Sequence, residues 1–128
     1  MSTANIQPTQ EEFLELSQQG NLVPVCRTIL ADFETPLSAY QKIRGDSEAF
    51  LFESVEGGEH LGRYSFVGCN PRGVIRQLGS RVDVIEGGRI KTSYIISREP
   101  GDNHVSDGLE VVEKVLGRYT PVNLPGLP

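Results

Sequence analysis

No run of lysine and arginine occurs in the 128-residue sequence, and the formal net charge is −5. That balance argues against a partner held by its phosphate backbone and so against nucleic acid. Long apolar runs are also missing. The strongest, such as Val74-Ile75 and Tyr94-Ile95-Ile96, are too short to cross a bilayer, so no membrane segment is predicted. Met1-Ser2-Thr3-Ala4-Asn5 carries neither a basic start nor an apolar stretch, which predicts a cytoplasmic protein and not a secreted one. There are two cysteines, Cys26 and Cys69, far apart and outside any CxxC, and they are expected to be buried free thiols. HxxxH, paired CxxC, GxSxG and a glycine loop for phosphate are all lacking. His60 and His104 stand isolated in turn-like segments and are expected to be exposed loop residues. No metal site and no catalytic residue is therefore expected within the chain.

What is present is an ordinary globular composition, 38% hydrophobic and 23% charged. It suits one domain or a piece of one. Pro8-Thr9-Gln10-Glu11-Glu12 opens a helix, because Thr9 can cap it and Glu12 can reach back to the Thr9 amide. Phe13, Leu14 and Leu16 give it an apolar face, and Gly20-Asn21 is expected to end it. Leu22 to Leu30 reads as a strand, with Pro24 near an edge or at its start. Thr35-Pro36 starts a second helix with Leu37, Tyr40 and Ile43 on one side and Gly45-Asp46 at its end. Ala49 to Val55 and Arg63 to Cys69 read as strands around Glu56-Gly57-Gly58-Glu59. Val74 to Leu78, Arg81 to Glu86 and Arg89 to Ile96 follow as a meander turned at Gly79-Ser80 and Gly87-Gly88. A last helix fits Asp107 to Leu116, capped by Asp107, with Glu110 at the third helical position and Leu109, Val112 and Leu116 predicted as its buried face. The proline-bearing stretch 121–128 reads as a connection leading onward. The expected class is α+β, a mainly antiparallel sheet with helices outside.

The densest feature is Phe50-Leu51-Phe52-Glu53-Ser54-Val55-Glu56-Gly57-Gly58-Glu59. Alternation in a strand puts Phe50, Phe52 and Ser54 on one side and Leu51, Glu53 and Val55 on the other. Whichever side is buried takes a polar group with it, and that group needs a partner. A carboxylate next to a hydroxyl suits a small zwitterion, Glu53 meeting an ammonium and Ser54 a carboxylate. A strand end that simply carries polar residues satisfies the same pattern, and both readings stand at this point. Arg63 is placed to pair with one of these acids.

These residues also carry a resemblance. Leu51-Phe52-Glu53-Ser54, followed by Gly62-Arg63-Tyr64-Ser65-Phe66, closely resembles the signature of anthranilate synthase component I. Asn21-Leu22-Val23-Pro24-Val25 and Thr35-Pro36, with Tyr40 a turn later, match the opening of that family in order and spacing. Phe52 departs from the commoner leucine. The resemblance runs from about Phe13 to the end and implies the amino-terminal region, 1–128, of a lyase of tryptophan biosynthesis. That family converts chorismate and glutamine, or ammonia, to anthranilate and pyruvate, using Mg²⁺ and a glutamine amidotransferase subunit or domain. The resemblance further implies that the chorismate-binding domain lies outside this chain, which alone would be inactive and would hold no cofactor. It implies a feedback site for L-tryptophan formed with Pro36, Glu53, Ser54, Arg63 and Tyr64. The expected fold is an incomplete part of an α/β sandwich, with self-association of the uncovered piece. The corresponding part of aminodeoxychorismate synthase and a free-standing amino-acid-binding module are the alternatives.

Overall fold

A computed structural model describes residues 5–53 and 64–127. The predicted segments Ser54-Val55, the glycine-rich turn, His60 and Arg63 lie outside the described residues. The chain divides into two compact units, one formed by the segment ending at Ile29 together with Gly73–Leu127, the other by Leu30–Arg72. The class is α+β with mainly antiparallel strands, as expected.

In the first unit, β1 (Ile6–Gln7) precedes α1 (Gln10–Leu16). The Thr9 hydroxyl accepts from the Glu12 amide at 3.2 Å, and Glu12 Oε2 accepts from the Thr9 amide at 2.8 Å, so the predicted capping box forms. The helix stops earlier than Gly20, at Ser17, whose hydroxyl turns back to the Leu14 carbonyl at 2.8 Å. The predicted strand Leu22–Leu30 is the largest correction. Only β2 (Cys26–Arg27) forms, antiparallel to β1, and Leu22 makes a single parallel bridge to Pro121. Pro24 has no N–H to give a ladder, and Val25, Ile29 and Leu30 are exposed, so a longer strand has little burial to support it.

The predicted meander is present as β5 (Gly73–Leu78), β6 (Arg81–Glu86) and β7 (Arg89–Ile96). Gly87 and Gly88 both take positive φ, 58° and 72°, the backbone that a two-residue hairpin turn demands. A bulge between Val84 and Ile85 leaves Lys91 as the extra residue, since Val84 pairs with Thr92 and Ile85 with Ile90. Strand β8 (His104–Val105) was not read from sequence. It lies parallel to β7, tied by Ile95 N–H to the Asn103 carbonyl at 2.9 Å and Ser97 N–H to the Val105 carbonyl at 3.0 Å. His104 is exposed as expected but belongs to this strand, with Nδ1 2.8 Å from the Glu99 carbonyl.

Helix α3 (Gly108–Leu116) is capped by Asp107, whose carboxylate accepts from the Glu110 amide at 3.0 Å. Its buried face is not the predicted one. Val111 is fully buried against Val82, Val84 and Val105, with Val115 beside it, while Leu109 and Leu116 are 76% and 63% exposed. The helix is thus turned by about one residue, or ~100°, from the leucine stripe. The two cysteines are free and half-buried, not buried.

On the side of the sheet away from this valine core, Arg76, Asp83 and Ser93 stand opposite one another across three strands. Asp83 Oδ1 accepts from Ser93 Oγ at 2.6 Å and from Arg81 Nε at 2.8 Å, and these bonds hold its carboxyl below the ordinary range. Glu110 is held down by the Ser106 backbone and hydroxyl, and Glu12 by Thr9. A carboxyl with a lowered pKa in the folded state stabilises above its unfolded value, and that stability is lost as pH falls through the folded one. The melting temperature is therefore expected to fall steadily from about pH 4.5 downward. Asp83→Asn should flatten that slope in circular-dichroism melts. An unchanged slope would mean that these bonds do not persist in solution.

Candidate functional site

The residues singled out by sequence belong to the second unit. There, Thr35 caps α2 (Pro36–Ile43): its hydroxyl accepts from the Ser38 amide at 3.1 Å, and the Ser38 hydroxyl accepts from the Thr35 amide at 2.9 Å. Pro36 takes the first helical position, where its missing N–H costs nothing. Glu34 anchors the same turn, accepting from Ser38 Oγ at 2.6 Å and pairing with Lys42. The Lys42 and Ser38 contacts hold the Glu34 carboxyl below its usual range. The helix ends at Arg44, and Gly45 leaves with φ of 55°.

Helix α2 packs against the antiparallel pair β3 (Ala49–Glu53) and β4 (Ser65–Cys69). The register sets Ala49 opposite Cys69, Leu51 opposite Val67 and Glu53 opposite Ser65, all on one side of the pair. Ala49, Leu51, Val67 and Cys69 are the half-buried members of that side. Phe50, Phe52 and Phe66 share the other side with Gly68. They are 46%, 66% and 51% exposed, so the aromatic side is the open one. Phe50 lies over Gly68, where any Cβ would run into its ring, and its centroid is 4.9 Å from that of Phe52. No polar group of β3 is buried, which removes the need for an internal partner that alternation suggested.

Pro36 thus opens α2, Glu53 closes β3 with its side chain exposed, and Tyr64 is exposed just before β4. The structure brings Pro36, Glu53 and Tyr64 into one unit, but no hydrogen bond joins the three among the described residues. Ser54 and Arg63 lie outside the described residues. Among those described, no group of three or more His, Cys, Asp or Glu side chains converges as metal ligands would. Sequence reading passed over an open cleft of about 640 Å³ in the first unit, lined by Arg98, Glu99, His104, Ser106 and Glu110. Nothing before the fold is known places 98–110 around one hollow, because β8 has only two residues and no periodicity to read. Glu110 there is committed to Ser106, by 2.8 Å to the amide and 2.9 Å to the hydroxyl, so it caps α3 and is not a free base.

Over nearly its whole length the chain is similar to proteins named anthranilate synthase component 1 from several bacteria. Anthranilate synthase component 1 of Synechocystis sp. is 39% identical over 124 residues, 96% of this chain. The Pseudomonas putida protein of the same name is 40% identical over 120 residues, and that of Acetivibrio thermocellus is 35% identical over 123. This chain is a relative of anthranilate synthase component I. It spans 22% of the length of each of these three component I proteins. No family model matches the chain, and no solved structure does. The similarity to component I therefore rests on sequence alone, over about 22% of each relative, and it covers both units described above.

Proposed function

We propose that the chain is the amino-terminal, tryptophan-sensing part of an anthranilate synthase component I. The parent would be the lyase that turns chorismate and glutamine, or ammonia, into anthranilate and pyruvate in the cytoplasm. Its Mg²⁺ and chorismate sites would lie elsewhere in the polypeptide, and a glutamine amidotransferase would supply ammonia. The observation that carries this reading is similarity along 93–96% of the chain, including the strand that ends in Glu53. An exposed carboxylate at a strand end beside a hydroxyl residue is suited to the ammonium and carboxylate of a free amino acid.

Inhibition by tryptophan requires that it prefer the less active state, so weaker binding there weakens inhibition equally. In the full component I, Ser54→Ala is expected to raise the tryptophan concentration for half-inhibition about tenfold, the scale of one lost polar contact at ~1.4 kcal/mol. Glu53→Gln should act the same way through the ammonium. Activity without tryptophan should hardly change, and the purified 128-residue chain should turn over no chorismate with ammonia and Mg²⁺. Inhibition curves and tryptophan titration on one preparation check this. Normal inhibition in Ser54→Ala, or joint loss of activity and inhibition, would remove the regulatory reading.

A further inference from the structure

Directly across the β3–β4 pair from Glu53 stands Ser65, a residue that the tryptophan reading does not use. Both lie at the exposed end of the side that carries Leu51 and Val67, so the register brings one carboxylate and one hydroxyl to the same side of the sheet. Opposed residues have Cβ atoms ~4.5–5.5 Å apart, near enough for one small group to meet both side chains. The protein contains the same kind of pair elsewhere. Asp83 and Ser93 are opposed across β6 and β7, and there the acid accepts from the hydroxyl at 2.6 Å and from Arg81 Nε at 2.8 Å. That pair is closed on itself. The β3–β4 pair is open: among the described residues no hydrogen bond joins Glu53 to Ser65 and no cation pairs with Glu53.

We infer that Glu53 and Ser65 together hold the α-ammonium of the free amino acid bound in this unit, the carboxylate as its counter-charge and the hydroxyl oxygen as a second acceptor. The inference rests on the tryptophan reading proposed above and adds a binding residue to it. An ammonium has three N–H donors and no acceptor, so one carboxylate leaves part of it unsatisfied. A hydroxyl oxygen directly opposite takes a second N–H and fixes the direction from which the ammonium enters.

Ser65 is exposed, so Ser65→Ala should leave the melting temperature of the full component I polypeptide within about 2 °C. Calorimetric titration with L-tryptophan should show binding weakened about fivefold, with the concentration for half-inhibition raised by the same factor. Ser65→Thr keeps the hydroxyl and should stay within about twofold of the unaltered protein. Glu53→Gln combined with Ser65→Ala should weaken binding by less than the product of the single effects, because both act on one ammonium. Normal binding in Ser65→Ala overturns the inference and leaves the tryptophan reading standing. Equal weakening in Ser65→Ala and Ser65→Thr assigns the effect to side-chain shape and overturns it too. Effects that simply multiply in the double variant do the same, since the two residues then act apart. An unaltered polypeptide that binds no tryptophan removes the reading itself, and this inference with it.

Discussion

Val111→Asp is expected to unfold the unit that holds the four-stranded sheet. Val111 is 0% exposed and meets Val82, Val84 and Val105, so a carboxylate there would have no water and no cation within the valine cluster. Native domains are marginal, with ~5–15 kcal/mol in hand, and an unpaired buried charge costs more than about 4 kcal/mol. The milder Val111→Ala should cost about 2 kcal/mol from lost burial and the space left behind. Leu109→Asp, two residues earlier, should stay within about 0.5 kcal/mol, because Leu109 already faces outward. Urea unfolding followed by far-ultraviolet circular dichroism ranks the three. Equal sensitivity at 109 and 111 would contradict the packing of α3 described above.

That contrast also marks where sequence reasoning stops. The start of α3 was legible because a cap is a local device: Asp107 and Glu110 act within one turn. The same holds for Thr9 with Glu12 and for Thr35, Pro36 and Ser38. The rotation of α3 was not legible, since Leu109, Val112 and Leu116 and the alternative Gly108, Val111 and Val115 both follow helical spacing. What decides between them is the partner surface. The sheet offers Val82 and Val84, and Gly108 comes so close to the Gln77 side-chain amide that a Cβ there would clash. A helix lying that close buries its small residues and leaves its leucines outside. The meander was legible because hairpin glycines and alternation agree, whereas β8 depends on pairing nine residues away, Ile95 with His104 and Ile96 with Val105. At the candidate site, Pro36 and the course of β3 could be read, but alternation could not say which side is covered. The α2 helix packs on the pair, and the Leu51–Val67 side is the half-buried one, leaving Phe50, Phe52 and Phe66 out.

Gly20→Ala is expected to be nearly as damaging as a core substitution, although Gly20 lies in a connection and its backbone is not in the left-handed region. The reason is close approach. A Cβ on Gly20 would run into the Thr120 carbonyl oxygen and meet a Val122 methyl carbon at 2.9 Å. A backbone carbonyl cannot swing aside as a side chain can, and this one is fixed from several directions. It accepts from the Asn21 amide at 3.1 Å and the Leu22 amide at 3.3 Å. The Asn21 side chain spans the same segment, donating to the Arg118 carbonyl at 2.8 Å and accepting from the Thr120 amide at 2.5 Å. Val122 then returns its amide to the Leu22 carbonyl at 2.9 Å and is itself buried. Forcing a methyl group into that gap should cost about 2–3 kcal/mol, by pushing 120–122 away and uncovering Val122. Asn21→Ala removes two side-chain hydrogen bonds at ~1 kcal/mol each but leaves the close approach intact, so it should be the lesser of the two. Hydrogen exchange reads the site directly: the Thr120 and Val122 amides should lose protection in Gly20→Ala before the β5–β7 ladder does. In a connection without close contacts, the same change would stabilise by a few tenths to ~1 kcal/mol, through lower entropy of the unfolded chain. A rise in stability would therefore show that residues 20–22 and 118–122 are not held together, and the opposite sign of the two outcomes makes the experiment decisive.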